Sequence, residues 1–242
     1  MKTVFAILAA AGLILWPFAP ARAGAGANYQ PLEINQVSEA KFPPWLRAIG
    51  CVEGQAAILI TVDASGKLMD TLAISSTLPD FAEAAQAALR EWTYQPARLN
   101  GQPVGVTKEV DFDFEQVGAV ITANGGGGSE FFFRRFFHEK PAYRAFNLQE
   151  IDDKLAMKRV VRPPYTTELA ARDGGGTVTL SYYIDEEGRV RMPVVLNDAN
   201  PELADLATEA VRQWQFEPPT RLGKPVLVRV LQDFRFNVPS HS

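Results

Sequence analysis

Asp111 and Asp113 form the first pair in this chain whose types and spacing could do chemistry. Two acids can divide general-acid and general-base work when their surroundings push the two pKa values apart. At i and i+2 on a strand both point to one face, and the sequence supplies no third group that would raise one of them. The pair therefore reads as the solvated face of a strand. His138 and His241 lie far apart, and Cys51 is the only cysteine, so no His/Cys/acid cluster has metal-ligand spacing. There is no Gly-x-Ser-x-Gly elbow, phosphate loop or dinucleotide fingerprint. The run Asn124-Gly-Gly-Gly-Gly-Ser129 lacks both the following Lys and the strand-turn-helix setting. The sequence predicts a protein that is not an enzyme, with no catalytic residue, cofactor, metal or small-molecule substrate.

The elements around those residues occur twice, at a constant offset of 122 residues. Asp63-Ala-Ser-Gly66 falls on Asp185-Glu-Glu-Gly188, and Trp92-Thr-Tyr-Gln-Pro96 on Trp214-Gln-Phe-Glu-Pro218. Gly101-Gln-Pro103 falls on Gly223-Lys-Pro225, and Phe112 and Phe114 on Phe234 and Phe236. A whole unit has been copied, so what is inferred from one copy is testable on the other.

Each copy reads as two strands, a helix and a third strand. Val178, Leu180, Tyr182 and Ile184 alternate with more polar neighbours, as Ala56, Ile58, Ile60 and Val62 do in the first copy, which is the period of a strand with one buried face. The Asp-x-x-Gly turns reverse the chain into second strands carrying Leu68, Leu72 and Ile74, or Val190, Met192, Val194 and Leu196. Asn200, Pro201 and Glu202 supply a cap, a proline at the first helical position and an acid at the positive end of the dipole. The apolar stripe Leu203, Leu206, Ala207, Ala210, Val211, Trp214 then repeats Phe81, Ala84, Ala85, Ala88, Leu89, Trp92, and assigns both tryptophans to the core. Third strands are expected from Val104 to Phe114 and from Val226 to Phe236.

Composition is that of a globular protein, 47% hydrophobic and 21% charged. The first 23 residues read as a signal peptide: Lys2, an apolar run from Val4 to Trp16, and Ala21-Arg-Ala23 as a cleavage site between Ala23 and Gly24. The run is shorter than a spanning helix needs. Without the leader the chain would carry 22 positive and 28 negative charges, which argues against nucleic acid as a partner. Cys51 is expected to be a buried thiol. Between the copies, the glycine run reads as a hinge, and Phe131-Phe-Phe-Arg-Arg-Phe-Phe137 as a segment that either packs on a repeat or docks elsewhere.

Pro163-Pro-Tyr165, the Asp-x-x-Gly turn, the helix, Trp-x-Phe-x-Pro, Gly-x-Pro and the terminal strand together resemble the C-terminal domain of the TonB energy transducers of Gram-negative envelopes. The likeness covers Arg162 to Val238 and, with Pro43-Pro-Trp45 as its opening, Phe42 to Glu115. It implies an α+β fold of two tandem domains, 36–117 and 145–238 joined by a linker at 118–144, each a short leading helix and a three-stranded antiparallel sheet packed by a long helix. It also implies binding of envelope proteins, outer-membrane transporters among them, by strand addition at a sheet edge. Carried onto this chain, the candidate edge is Val226, Val228, Arg229, Val230, Gln232 and Phe234, with Val104 to Phe114 as its counterpart. The alternative is that each edge is covered by the other repeat or by the linker. A periplasmic protein linked to TonB-dependent transmembrane transport is the expectation. The alternatives are an inner-membrane-anchored energy transducer and an envelope assembly factor acting as a homodimer.

Overall fold

The structure, a computed structural model, describes residues 28–115, 118–122 and 141–237. The leader and its Ala23/Gly24 site, the glycine run, Phe131 to Phe137, His138 and His241 lie outside the described residues.

In the first repeat a short helix, α1 (Pro44–Ala48), precedes β1 (Glu53–Val62) and β2 (Leu68–Ser76). The connecting turn is held by Asp63, whose carboxylate accepts from the N–H groups of Ser65 at 2.8 Å and Lys67 at 3.0 Å. The long helix α2 (Pro79–Glu91), β3 (Val106–Glu115) and β4 (Gly118–Thr122) follow. Two very short strands, β5 (Tyr143–Arg144) and β6 (Phe146–Asn147), lead into the second repeat. There the series recurs as α3 (Thr167–Asp173), β7 (Gly176–Ile184), β8 (Val190–Val195), α4 (Pro201–Arg212) and β9 (Val228–Phe236). Asn200 caps α4 by accepting from Glu202 N–H at 2.9 Å, with Pro201 opening the helix.

Both repeats are built on a three-stranded antiparallel sheet with its helix on one face, and each sheet has gained strands. The orders are β5-β2-β1-β3-β4 and β6-β9-β7-β8. Ile58, Ile60 and Val62 of β1 meet Phe81, Ala85 and Leu89 of α2 in one core. Val178, Leu180, Tyr182 and Ile184 of β7 meet Leu203, Ala207 and Val211 of α4 in the other. The tryptophans close both stripes in the same way. Trp92 Nε1 donates to Ser38 C=O at 2.8 Å and Trp214 Nε1 to Val161 C=O at 2.7 Å, so each indole is used for packing and for tying down the segment before its repeat.

The structure corrects several expectations. The third strands start at Val106 and Val228; Val104 belongs to a small hairpin with Ala97–Leu99, and Val226 precedes its strand. Cys51 is half-buried, its thiol donating to Glu53 C=O at 3.3 Å. The second strands do not alternate evenly, because bulges break their phase. β2 slips against β1 beside Ile58 and Val62, and β8 slips where residues 192 and 193 oppose Tyr182, with Met192 at φ 49°. Leu72 and Met192 are thereby turned away from their own helices. They join Leu59, Tyr183 and Leu227 in a third buried cluster, between the two repeats.

That cluster covers sheet faces which the alternating pattern leaves for solvent. Ser181 and Tyr183, on the face of β7 away from α4, are 2% and 5% exposed. Thr61 Oγ1 of the first repeat lies 2.8 Å from Met192 Sδ, and Arg191 grips the Asp70 carboxylate with two nitrogens at 2.6 and 3.2 Å. The segment 143–147 straps the sheets together. Tyr143 and Arg144 pair with Ser76 and Ser75 of β2, Ala145 N–H donates to Ile74 C=O at 2.8 Å, and Phe146 and Asn147 pair in parallel with Val228 and Arg229 of β9. Tyr143 also donates its hydroxyl to Glu186 at 2.9 Å, across to the turn of the second repeat.

Candidate partner-binding edges

A strand can recruit another only through backbone groups that look away from its own sheet. β9 pairs with β7 without a slip from Val228↔Ile184 to Phe236↔Gly176. On its other side Phe146 N–H donates to Leu227 C=O at 2.8 Å, which fixes the parity: the main-chain groups of residues 227, 229, 231, 233 and 235 point outward. In the parallel register of Phe146 beside Val228, the returning bond comes from Arg229 N–H to Phe146 C=O. The strap thus occupies the start of the edge. Beyond it, among the described residues, no strand pairs with the outward groups of Leu231, Asp233 and Arg235.

The sequence-chosen residues distribute unevenly over this geometry. Val228 and Val230 are buried against α4, and Val226 precedes the strand with its N–H donated to Pro219 C=O at 2.9 Å. Gln232 and Phe234 turn their backbone groups inward to β7, and the Phe234 ring packs on Trp214 at 5.5 Å. Arg229 faces outward but beside the strap. Leu231, Asp233 and Arg235, inside the expected Val226 to Phe236 edge but not singled out within it, carry the outward backbone groups beyond the strap. Side-chain alternation reveals which residues fill the core, whereas the outward backbone groups belong to the other parity.

On the first repeat the second half of the corresponding edge is paired, because β4 lies antiparallel to β3 from Asp111↔Thr122 to Glu115↔Gly118. Asp111 and Asp113 lie on this paired stretch. Asp111 is half-buried, and burial, then Glu109 and Asp113, push its carboxyl up to about 7. The expectation that no third group raises either acid is corrected by Glu109, two residues back on the same face. Burial raises Asp113 as well, opposed by the Gln55 amide, which donates to it at 2.7 Å. Burial lowers Lys108. Among the described residues, no group of three or more His, Cys, Asp or Glu could hold a metal.

Among the described residues, no helix is long and apolar enough to cross a membrane. A direct comparison with curated protein sequences returns no match. A family profile, however, matches the chain twice, at residues 38–115 and 161–238, and so covers both repeats with their helices, turns and terminal strands. With more than half of its length accounted for in two tandem copies, the chain belongs to the family of Gram-negative bacterial TonB protein C-terminal domains, envelope proteins linked to transport.

Proposed function

We propose that the chain is an exported, periplasmic protein that recruits an envelope protein by strand addition along Leu231 to Arg235 of β9, in service of TonB-linked transport. One observation carries this reading: the outward N–H and C=O groups of that stretch have no strand partner among the described residues, while the first repeat's edge is paired from Asp111 onward. Main-chain bonding supplies affinity with loose sequence demands, which suits a partner presenting an extended segment, such as an outer-membrane transporter. The half-free edge favours the second repeat as the recruiting copy and the first as its support.

The test uses a photo-crosslinking residue at Leu231 in cells, on the parent and on Asp233→Pro and Asp233→Ala. Proline removes an outward donor without touching the β7 ladder and should abolish the crosslinked product, whereas alanine should leave it nearly unchanged. Native circular dichroism of both variants is the control. The mass of the crosslinked chain should correspond to an N-terminus at Gly24. Equal crosslinking by folded Asp233→Pro rules out the edge, and a full-length chain in the inner membrane favours the anchored transducer.

A further inference from the structure

Four arginines from three separate elements of the second repeat line one cleft of about 750 Å³, closed on one side by Asp70 of the first. Arg159 comes from the short strand Met157–Arg159, Arg189 and Arg191 flank the start of β8, and Arg212 ends α4. We propose that this cleft is a binding site for a phosphate-bearing ligand, distinct from the β9 edge.

The acids that pair with these arginines mostly stand outside the cleft. Arg189 is held by Asp185 at 2.9 Å and Glu187 at 2.7 Å, and Arg191 by Asp70 at 2.6 Å, with Asp185 at 3.6 Å. Of those carboxylates only Asp70 lines the cavity. Arg212 reaches only Glu209, in an ion pair whose side chains are 55% and 66% exposed, and Arg159 makes no ion pair among the described residues. Exposed pairs of that kind exchange readily, so two guanidinium groups are available while two are fixed beside them. The negative end of the α4 dipole lies at the same corner, with Arg212 against it. All four cations are arginine and none is lysine, which suits an anion with several oxygens in fixed directions, such as a phosphate.

The duplication supplies an internal comparison. At the offset of 122 residues Arg159, Arg189, Arg191 and Arg212 fall on Val37, Lys67, Met69 and Arg90, and Gln213 falls on Glu91. By strand register Gln36 and Asp70 take the places of Arg159 and Arg191, so the first repeat carries the same strands and helix end without the arginine set. Shared architecture therefore does not account for the cluster, which is present on one copy only.

Pyrophosphate titrated into the full chain at low salt, followed by calorimetry and by backbone amide NMR, tests the site. Binding should be saturable, with shifts concentrated at Arg189 to Arg191 and Arg212 to Gln215. It should weaken about tenfold or more in Arg159→Gln/Arg212→Gln, both exposed positions, and stay near the parent value in Arg90→Gln. A second arm sediments the protein with vesicles of phosphatidylcholine containing phosphatidylglycerol. Capture that is lost in the double variant and displaced by pyrophosphate identifies a lipid headgroup as the source; pyrophosphate binding without vesicle capture identifies a soluble phosphate ester. The proposal is overturned by absence of saturable binding in both arms, by a double variant that binds as the parent does, or by a preference for polyglutamate over pyrophosphate, which would assign the cleft to acidic peptides.

Discussion

Asp111 shows how much a single side chain can differ from its appearance in the sequence. In the fold its carboxyl is pushed up to about 7, whereas the unperturbed group titrates at 3.8. Between those values the folded protein holds a proton that the unfolded chain has released. The raised pKa therefore contributes stability at the acid end of the window, and that contribution is lost as pH rises through about 7. Asp111→Asn cannot titrate. Its stability relative to the parent should rise from pH 3.8 to about 7 and level off above, as read from urea midpoints of the two proteins at matched pH. Two curves that run parallel through the window would mean that the carboxyl is already ionised in the fold.

At the scale of the element, the Asp-x-x-Gly turn of the second repeat is the most tightly specified. Gly188 has φ 79°, and a Cβ there would lie 2.1 Å from Phe216 C=O, against backbone that also receives the turn. Gly188→Ala should cost several kcal/mol, of the order of about 3, because the strand pairs must part to admit it. Gly223→Ala shares a positive φ of 73° but meets nothing within 4 Å, and should cost only about 1 kcal/mol. Denaturant midpoints of the two variants separate steric from conformational cost. These turns, the α4 cap, the helix stripes and the central strands were legible in the sequence, since each rests on residues close together in the chain. The strap was not. Tyr143–Arg144 and Phe146–Asn147 are too short to show any period, and they are strands only because two sheet edges built from distant segments offer them partners. The bulge at Met192 was hidden for a similar reason: what turns its side chain is a pocket supplied by Leu59 and Leu72 of the other repeat. At the candidate site the strand was legible and its usable stretch was not, because the strap decides where the free edge begins.

For the molecule as a whole, the consequential contact is between the repeats. Arg191 and Asp70 have side chains 25% and 39% exposed, so water screens the pair in part, and its worth lies nearer a surface ion pair than a buried one. A double-mutant cycle with Asp70→Ala and Arg191→Ala should give a coupling of about 0.5 to 1.5 kcal/mol in favour of the native pair. The same cycle measured at high salt should give less. A coupling near zero would place the cohesion of the two repeats in the apolar cluster of Leu59, Leu72, Tyr183, Met192 and Leu227 and in the strap.

That ion pair also says something about ancestry. By strand register the counterpart of Asp70 is Arg191 itself, because they oppose Thr61 and Tyr183, which lie 122 residues apart. Two copies of the first repeat brought together in this way would set Asp70 beside Asp70, and two copies of the second would set Arg191 beside Arg191. Neither self-pairing reproduces the charge match; only the unlike halves do. Tandem fusion guarantees one of each in every molecule, which releases the copies from having to recognise themselves and lets them diverge into plug and socket.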